Sequence, residues 1–159
     1  MYKSLYFDYY FVSLPQNFEV MSIEELEKSL LNLQKKEGQP YSNLKSSGIT
    51  YDVARRIQQG KNYRFEAMFL YLDGLGYLLV MNGEVMMDIA SLGNALTLLR
   101  ENKKVSWAKI QKESGLCSQQ VRAIEHGENY TRSSLLKYLK FVDASFDVKS
   151  MVEYYNLDK

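Results

Sequence analysis

The sequence predicts a mainly α-helical chain made of two tandem units of short helices, with a small β-element between them and at the N-terminus. Three observations predict it. The chain repeats itself at an offset of 66 to 67 residues, both copies carry helical apolar spacing, and the segment between them carries a hairpin signal.

Self-similarity at a fixed period organises the rest of the reading. At an offset of 66, Leu26, Ser29, Leu30 and Leu33 fall on Leu92, Ala95, Leu96 and Leu99, and Tyr41 and Leu44 fall on Trp107 and Ile110. The first copy is then one residue shorter, and the offset becomes 67. There Gly48, Arg55, Ile57, Gly60, Asn62, Tyr63, Tyr71 and Leu72 match Gly115, Arg122, Ile124, Gly127, Asn129, Tyr130, Tyr138 and Leu139 identically.

Each copy opens with apolar positions at i, i+4 and i+7 and a small residue at i+3, the stripe of an amphipathic helix. Ser22, three residues before Glu25, starts the first as a capping box. Each copy closes on the same stripe, Met68, Tyr71, Leu72 and Leu75, then Leu135, Tyr138, Leu139 and Val142. Between these helices lie two shorter ones, broken at Gly48-Ile49 or Gly115-Leu116, the second stopping at Gly60 or Gly127. Glycine suits such breaks because a helix C-terminus commonly ends on a left-handed residue. The expected boundaries are a strand in 1–20, a helical unit over 21–76, a hairpin over 77–88, a second unit over 89–148, and a tail or short helix over 149–159.

In the connecting segment, Leu78 to Met81 and Glu84 to Met87 flank Asn82-Gly83, the pair that favours a type I′ hairpin turn. A lone hairpin is marginal in water, so a partner strand is expected. The run Leu5 to Leu14, rich in Tyr, Phe and Val, is the candidate.

Composition excludes several classes. With 46% apolar and 25% charged residues the chain is globular in character, since disorder needs fewer apolar residues and a larger net charge. No apolar run approaches the roughly 18–20 residues of a membrane span. Met1 to Leu14 lacks a basic start and a small-residue cleavage site, so no signal peptide is expected. Cys117 is the single cysteine, which excludes an internal disulfide and a cysteine-built zinc site. A cytoplasmic protein without a membrane partner is expected. The net charge is only +1, but residues 89–148 hold nine basic and six acidic residues against eight and seven in 21–82. The basic excess is mild and sits in the second unit.

The run Gly115-Leu116-Cys117-Ser118-Gln119-Gln120-Val121-Arg122-Ala123-Ile124-Glu125-His126-Gly127 resembles the turn and recognition helix of Cro/XRE-type phage-repressor domains. That helix-turn-helix family typically shows Gly, an apolar residue, a small capping residue, polar residues, an apolar residue and then Ile-Glu-x-Gly. Ser106 to Ser114 is similar to the family's first motif helix, with Ile110 in its apolar slot. Gln111 departs from the small Ala usual there, and Trp107 from a phosphate-contacting Gln. The first copy keeps Gly48, Ile49, Val53 and Ile57, carries Gln58 in place of the Glu, and is shortened around Pro40. The resemblance covers 89–146 well and 21–76 in degenerate form. It implies sequence-specific binding of double-stranded DNA by a bacterial or phage-type transcriptional regulator, as a homodimer or, with two units in one chain, as an internal pseudo-dimer.

The physics of such a helix is explicit. Val121 and Ile124 would bury against the unit's own core while the opposite face enters a major groove. On that face Ser118, Gln119, Gln120 and Arg122 are the base-facing candidates, glutamine suiting adenine and arginine guanine. Ala123 occupies a contact position but has nothing to offer there. In the first copy Tyr51, Asp52, Arg55 and Arg56 stand at the corresponding places. Asp52 would repel phosphates unless it accepts from a cytosine. Lys103, Lys104, Lys109 and Arg132, with Lys45, Lys61 and Arg64, are the candidate phosphate contacts, which set register without reading sequence.

Trp107 and Tyr41 occupy equivalent slots, which points to packing. Cys117 stands in a capping slot. His126, the single histidine, follows the recognition helix, where a phosphate contact is open to it and nothing supports catalysis. No phosphate-binding glycine loop, metal-ligand cluster or paired acidic motif is present, so no catalytic residue, cofactor or metal is expected and the chain does not read as an enzyme. The competing expectation is an interaction module, antitoxin-like, whose helix-turn-helix frames have lost DNA affinity. Near-neutral charge and Asp52 favour it; Gln119, Gln120 and Arg122 oppose it.

Overall fold

The computed structural model describes residues 21–36, 38 and 41–156. The strand expected at Leu5 to Leu14 lies outside the described residues. The chain is mainly helical, with a small three-stranded antiparallel sheet. The first helical run is α1 (Ile23–Lys36), α2 (Tyr41–Lys45), α3 (Tyr51–Gln58) and α4 (Glu66–Leu75). Strands β1 (Tyr77–Met81) and β2 (Glu84–Met86) follow. The second run is α5 (Ile89–Asn102), α6 (Trp107–Ser114), α7 (Ser118–His126) and α8 (Arg132–Leu139), and the chain closes with β3 (Phe146–Ser150) and α9 (Met151–Asn156).

Local chemistry explains where the helices begin. Ser22 and Glu25 exchange hydrogen bonds ahead of α1, the Ser22 N–H reaching Glu25 Oε2 at 2.8 Å and the Glu25 N–H reaching Ser22 Oγ at 3.2 Å. At the equivalent place before α5, Asp88 accepts from the Ser91 N–H at 2.7 Å, and its bonds from Ser91 hold its carboxyl below the usual carboxylate range. Thr50, Ser106 and Thr131 cap α3, α6 and α8 in the same way. Gly115 and Gly127 take φ of 77° and 68° at the ends of α6 and α7, the left-handed conformation glycine reaches without strain.

Asn82 and Gly83 both have positive φ, 51° and 82°, as a type I′ turn requires. They join β1 to β2 in the register Leu79↔Met86 and Val80↔Val85. The third strand is β3, from the far end of the chain, in the order β2-β1-β3. The expected boundaries split residues 146–150 between the second helical unit and the tail, and the structure makes them one strand. Phe-Asp-Val-Lys-Ser does alternate apolar and polar residues, but the run is only five residues long and its partner is about 70 residues away, with no turn to mark the pairing.

The two runs meet through their own counterparts. The Phe65 N–H donates to the Tyr130 carbonyl at 3.0 Å, and the Arg132 N–H donates to the Tyr63 carbonyl at 2.8 Å. Under a shift of 67 residues each bond becomes the other, and Arg64 faces Thr131 across the bridge they frame. At the sheet, β1 and β3 pair antiparallel about Leu79↔Val148. There the Asn82 N–H donates to the Ser145 carbonyl and the Met151 N–H to the Gly76 carbonyl, both at 2.9 Å. Those two bonds exchange under a shift of 69, the second run being two residues longer at this point. Contacts in which i meets j and the equivalent of j meets the equivalent of i are those of a two-fold axis. Here the axis relates two halves of one chain.

One contiguous core spans both runs, from Leu26, Leu30, Leu44, Ile57 and Met68 in the first to Leu92, Leu96, Ile110, Val121, Ile124 and Leu135 in the second. Leu79, Met81 and Phe146 of the sheet belong to it.

Each run also holds a polar network at equivalent positions, buried around Glu125 in the second and half-buried in the first. In the second, Glu125, 4% exposed, accepts from Arg100 Nε, from Arg100 Nη2 at 3.3 Å, from Trp107 Nε1 at 2.9 Å and from the Tyr138 hydroxyl at 2.7 Å. In the first, the residues at those places are Gln58, Gln34 and Tyr71. They join as Gln58 Nε2 to Gln34 Oε1 at 3.0 Å, Gln58 Nε2 to the Tyr71 hydroxyl at 2.7 Å, and that hydroxyl to Gln34 Oε1 at 2.7 Å. The repeat thus ties its first, third and fourth helices together twice, once with charges and once with neutral amides.

Removing one member of a buried ion pair strands the other, at a cost of about 3–5 kcal/mol. Glu125→Gln is therefore expected to lose about 3 kcal/mol of stability to chemical denaturation. Adding Arg100→Gln, which installs the first run's amide pair, should return roughly half of that loss, a coupling measured by the double-mutant cycle.

Candidate nucleic-acid interface

The surface in question is the outward face of α7. Its inward face carries Val121 and Ile124, both fully buried, and Glu125 is locked to α5, α6 and α8 by the network above. Gly93 of α5 lets α7 approach closely: a Cβ there would stand 2.6 Å from the Glu125 carbonyl oxygen and 2.8 Å from that of Ile124. Backbone contact at Gly93 and the buried Glu125 carboxylate together hold α7 against α5. Ser118, Gln119, Gln120 and Arg122 are all exposed, and none of the described segments covers them. Beside them runs an open groove of about 750 Å³, bounded by Gln119, Arg122, Asn129, Thr131 and Ser134.

The residues on this face are not equivalent. Gln120 Oε1 accepts from the Cys117 N–H at 2.9 Å, closing the start of α7. Gln120 therefore serves the cap while sharing the exposed face with Ser118, Gln119 and Arg122. Arg122 pairs with no carboxylate among the described residues. His126, at the far end of α7, is exposed.

The corresponding face of α3 is also open. Tyr51, Asp52, Arg55 and Arg56 are exposed, while Ala54 and Ile57 point inward. The Arg55 guanidinium lies 5.7 Å from the Tyr51 ring centre, and Tyr51 meets Tyr41 edge-on at 5.1 Å. Stacking of this kind holds an arginine extended without consuming its hydrogen-bond donors.

Among the expected phosphate contacts, Lys45, Lys61, Arg64, Lys104 and Lys109 are exposed. Lys103 is exposed but reaches Asp143 at 3.1 Å, a surface pair that is easily exchanged. Arg132 has a different job. Its Nε donates to both oxygens of Glu27, at 2.9 and 2.8 Å, and its side chain is only 13% exposed. This arginine is a bolt between α8 and α1, not a free cation. The sequence reading assigned it to DNA because a basic residue at the start of α8 looks solvent-facing when the helix is considered alone.

Glu27, the partner of Arg132, is the opposite case. It stands on the buried stripe of α1 beside Ile23, Leu26 and Leu30, where the second run has Gly93, and an acid on an apolar stripe was the available signal. Next to it, Phe65 stacks between Tyr63 and Tyr130, at centroid distances of 6.3 and 6.1 Å. Both tyrosine hydroxyls are buried without a hydrogen-bond partner among the described residues. Burial, and then the charge of Glu27, push the Tyr63 hydroxyl well above its ordinary pKa.

Among the described residues no group of three or more His, Cys, Asp or Glu side chains is placed to hold a metal ion, and no helix is long and apolar enough to cross a membrane.

Arg132→Ala, which leaves Glu27 buried and unpaired, is expected to cost about 3 kcal/mol of folding stability. Arg122→Ala should change stability by no more than about 0.5 kcal/mol. Urea denaturation of the two variants separates the structural arginine from the exposed one.

Compared with protein-family models, with curated proteins and with solved structures, the chain finds no match in any of the three.

Proposed function

We propose that this protein is a sequence-specific double-stranded DNA-binding protein, a bacterial or phage-type transcriptional regulator whose two helical runs are Cro/XRE-like helix-turn-helix units. The observation that carries this reading is the division of α7 into two faces. Val121, Ile124 and Glu125 are buried, while Ser118, Gln119 and Arg122 are exposed on a helix whose orientation is held by Gly93 and the Glu125 network. A short rigid helix with a polar outward face, preceded by a second helix across a tight glycine turn, fits the width of a major groove.

Electrostatics supports it modestly. Lys104 and Lys109 near α6, and Lys45, Lys61 and Arg64 near α3, are exposed cations that can neutralise phosphates. The competing reading, an interaction module with little DNA affinity, draws on Asp52 and on the net charge of +1.

Selection of binding sites from random-sequence duplex DNA, followed by titration at several salt concentrations, decides between them. The expected result is an enriched motif. With about four phosphate contacts, affinity should fall about a hundredfold between roughly 50 and 200 mM salt. Arg122→Ala and Gln119→Ala should each weaken the enriched site by about 1–3 kcal/mol. Failure to enrich any motif, with weak binding indifferent to sequence, would remove DNA reading from this protein.

A further inference from the structure

We infer that a single chain reads one asymmetric DNA site composed of two unlike half-sites in inverted orientation, α7 taking one half and α3 the other. The inference rests on the DNA-binding reading above and adds to it the form of the target. A symmetric dimer presents two identical reading helices about its axis and therefore selects a palindrome. In this chain the reciprocal bonds Phe65 to Tyr130 and Arg132 to Tyr63, and the antiparallel pairing of β1 with β3, relate α3 to α7 by the same kind of axis. One core runs through both halves. The two helices are thus held as a fixed pair without a second molecule.

The faces they present are not copies. The repeat aligns Arg55 with Arg122, so each half keeps an arginine at the same place, and a guanine is expected under both. It aligns Asp52 with Gln119, and a carboxylate that accepts from cytosine stands where a glutamine would grip adenine. It aligns Arg56 with Ala123 and Tyr51 with Ser118, so α3 carries an extra cation and an aromatic platform that α7 lacks. The backbone-facing positions diverge as well. Lys61 corresponds to Glu128, and Arg64 corresponds to Thr131, whose hydroxyl caps α8. At these aligned positions the α3 half carries the extra cations, and the α7 half has the uncharged glutamine reader. The two half-sites should share a guanine at symmetry-related places and differ beside it.

The test uses the full chain. Duplexes recovered from random-sequence selection are aligned for internal symmetry, and the complex is weighed by analytical ultracentrifugation. The expected outcome is one chain per duplex on two inverted half-sites, centred about one helical turn apart, alike at one guanine and different next to it. Replacing either half-site by an inverted copy of the other, with the protein unaltered, should lower affinity about tenfold. Arg55→Ala should relax the preference in one half only, and Arg122→Ala in the other only. A perfect palindrome occupied by two chains, or a motif indifferent at every position to Arg55→Ala, overturns this inference while leaving DNA binding intact. A selection that enriches nothing at any salt concentration overturns DNA binding and this inference together.

Discussion

The structure depends on the antiparallel meeting of each half with its own counterpart, at Tyr63–Phe65 against Tyr130–Arg132 and at β1 against β3. Four-helix runs of about 50 residues have small cores, and chains of that size are marginal alone. Joining two of them across reciprocal backbone hydrogen bonds merges those cores into one. The hairpin turn at Asn82-Gly83 is part of the same device. It returns the chain at the edge of β1 and sends α5 off to begin the second run.

Around this near-symmetric frame the chemistry has diverged. The buried carboxylate Glu125 needs Arg100, Trp107 and Tyr138 to offset its desolvation. The amides Gln34 and Gln58 do the same positional work in the first run with no charge to bury. The exchange is concerted, since an arginine left facing Gln58 would be a half-buried cation without its carboxylate. Where the first run has Glu27, the second has Gly93. The glycine admits the close approach of α7 to α5, and the glutamate instead reaches across the junction to Arg132. One repeat position has become a packing contact in one half and a bolt between halves in the other.

These differences explain why the exposed helices need not be equally suited to one ligand sequence. The frame fixes where α3 and α7 stand; the side chains of Asp52, Gln119 and Arg56 are exposed and lie outside the core, whereas Ala123 packs partly against it. A DNA-reading surface is defined by such exposed side chains, which is why the proposed specificity resides in residues that contribute little to stability.

What the amino-acid sequence determined by itself was local. Apolar spacing, Ser22-Glu25, the glycines at helix ends and Asn82-Gly83 act through bonds within a few residues, and they made the order of helices, the hairpin and the outward face of α7 legible before any contact was known. What only the tertiary structure decided was long-range. That Arg132 faces Glu27 across 105 residues, that β3 completes the sheet, and that the halves meet about a two-fold axis all depend on chain segments brought together by the shared core. Gln120 joins the two levels: its bond to Cys117 spans three residues, and only the folded structure shows that it caps the helix while staying exposed. A charged residue reads as solvent-facing until its partner is known, and such partners are set by folding, not by neighbourhood in the chain.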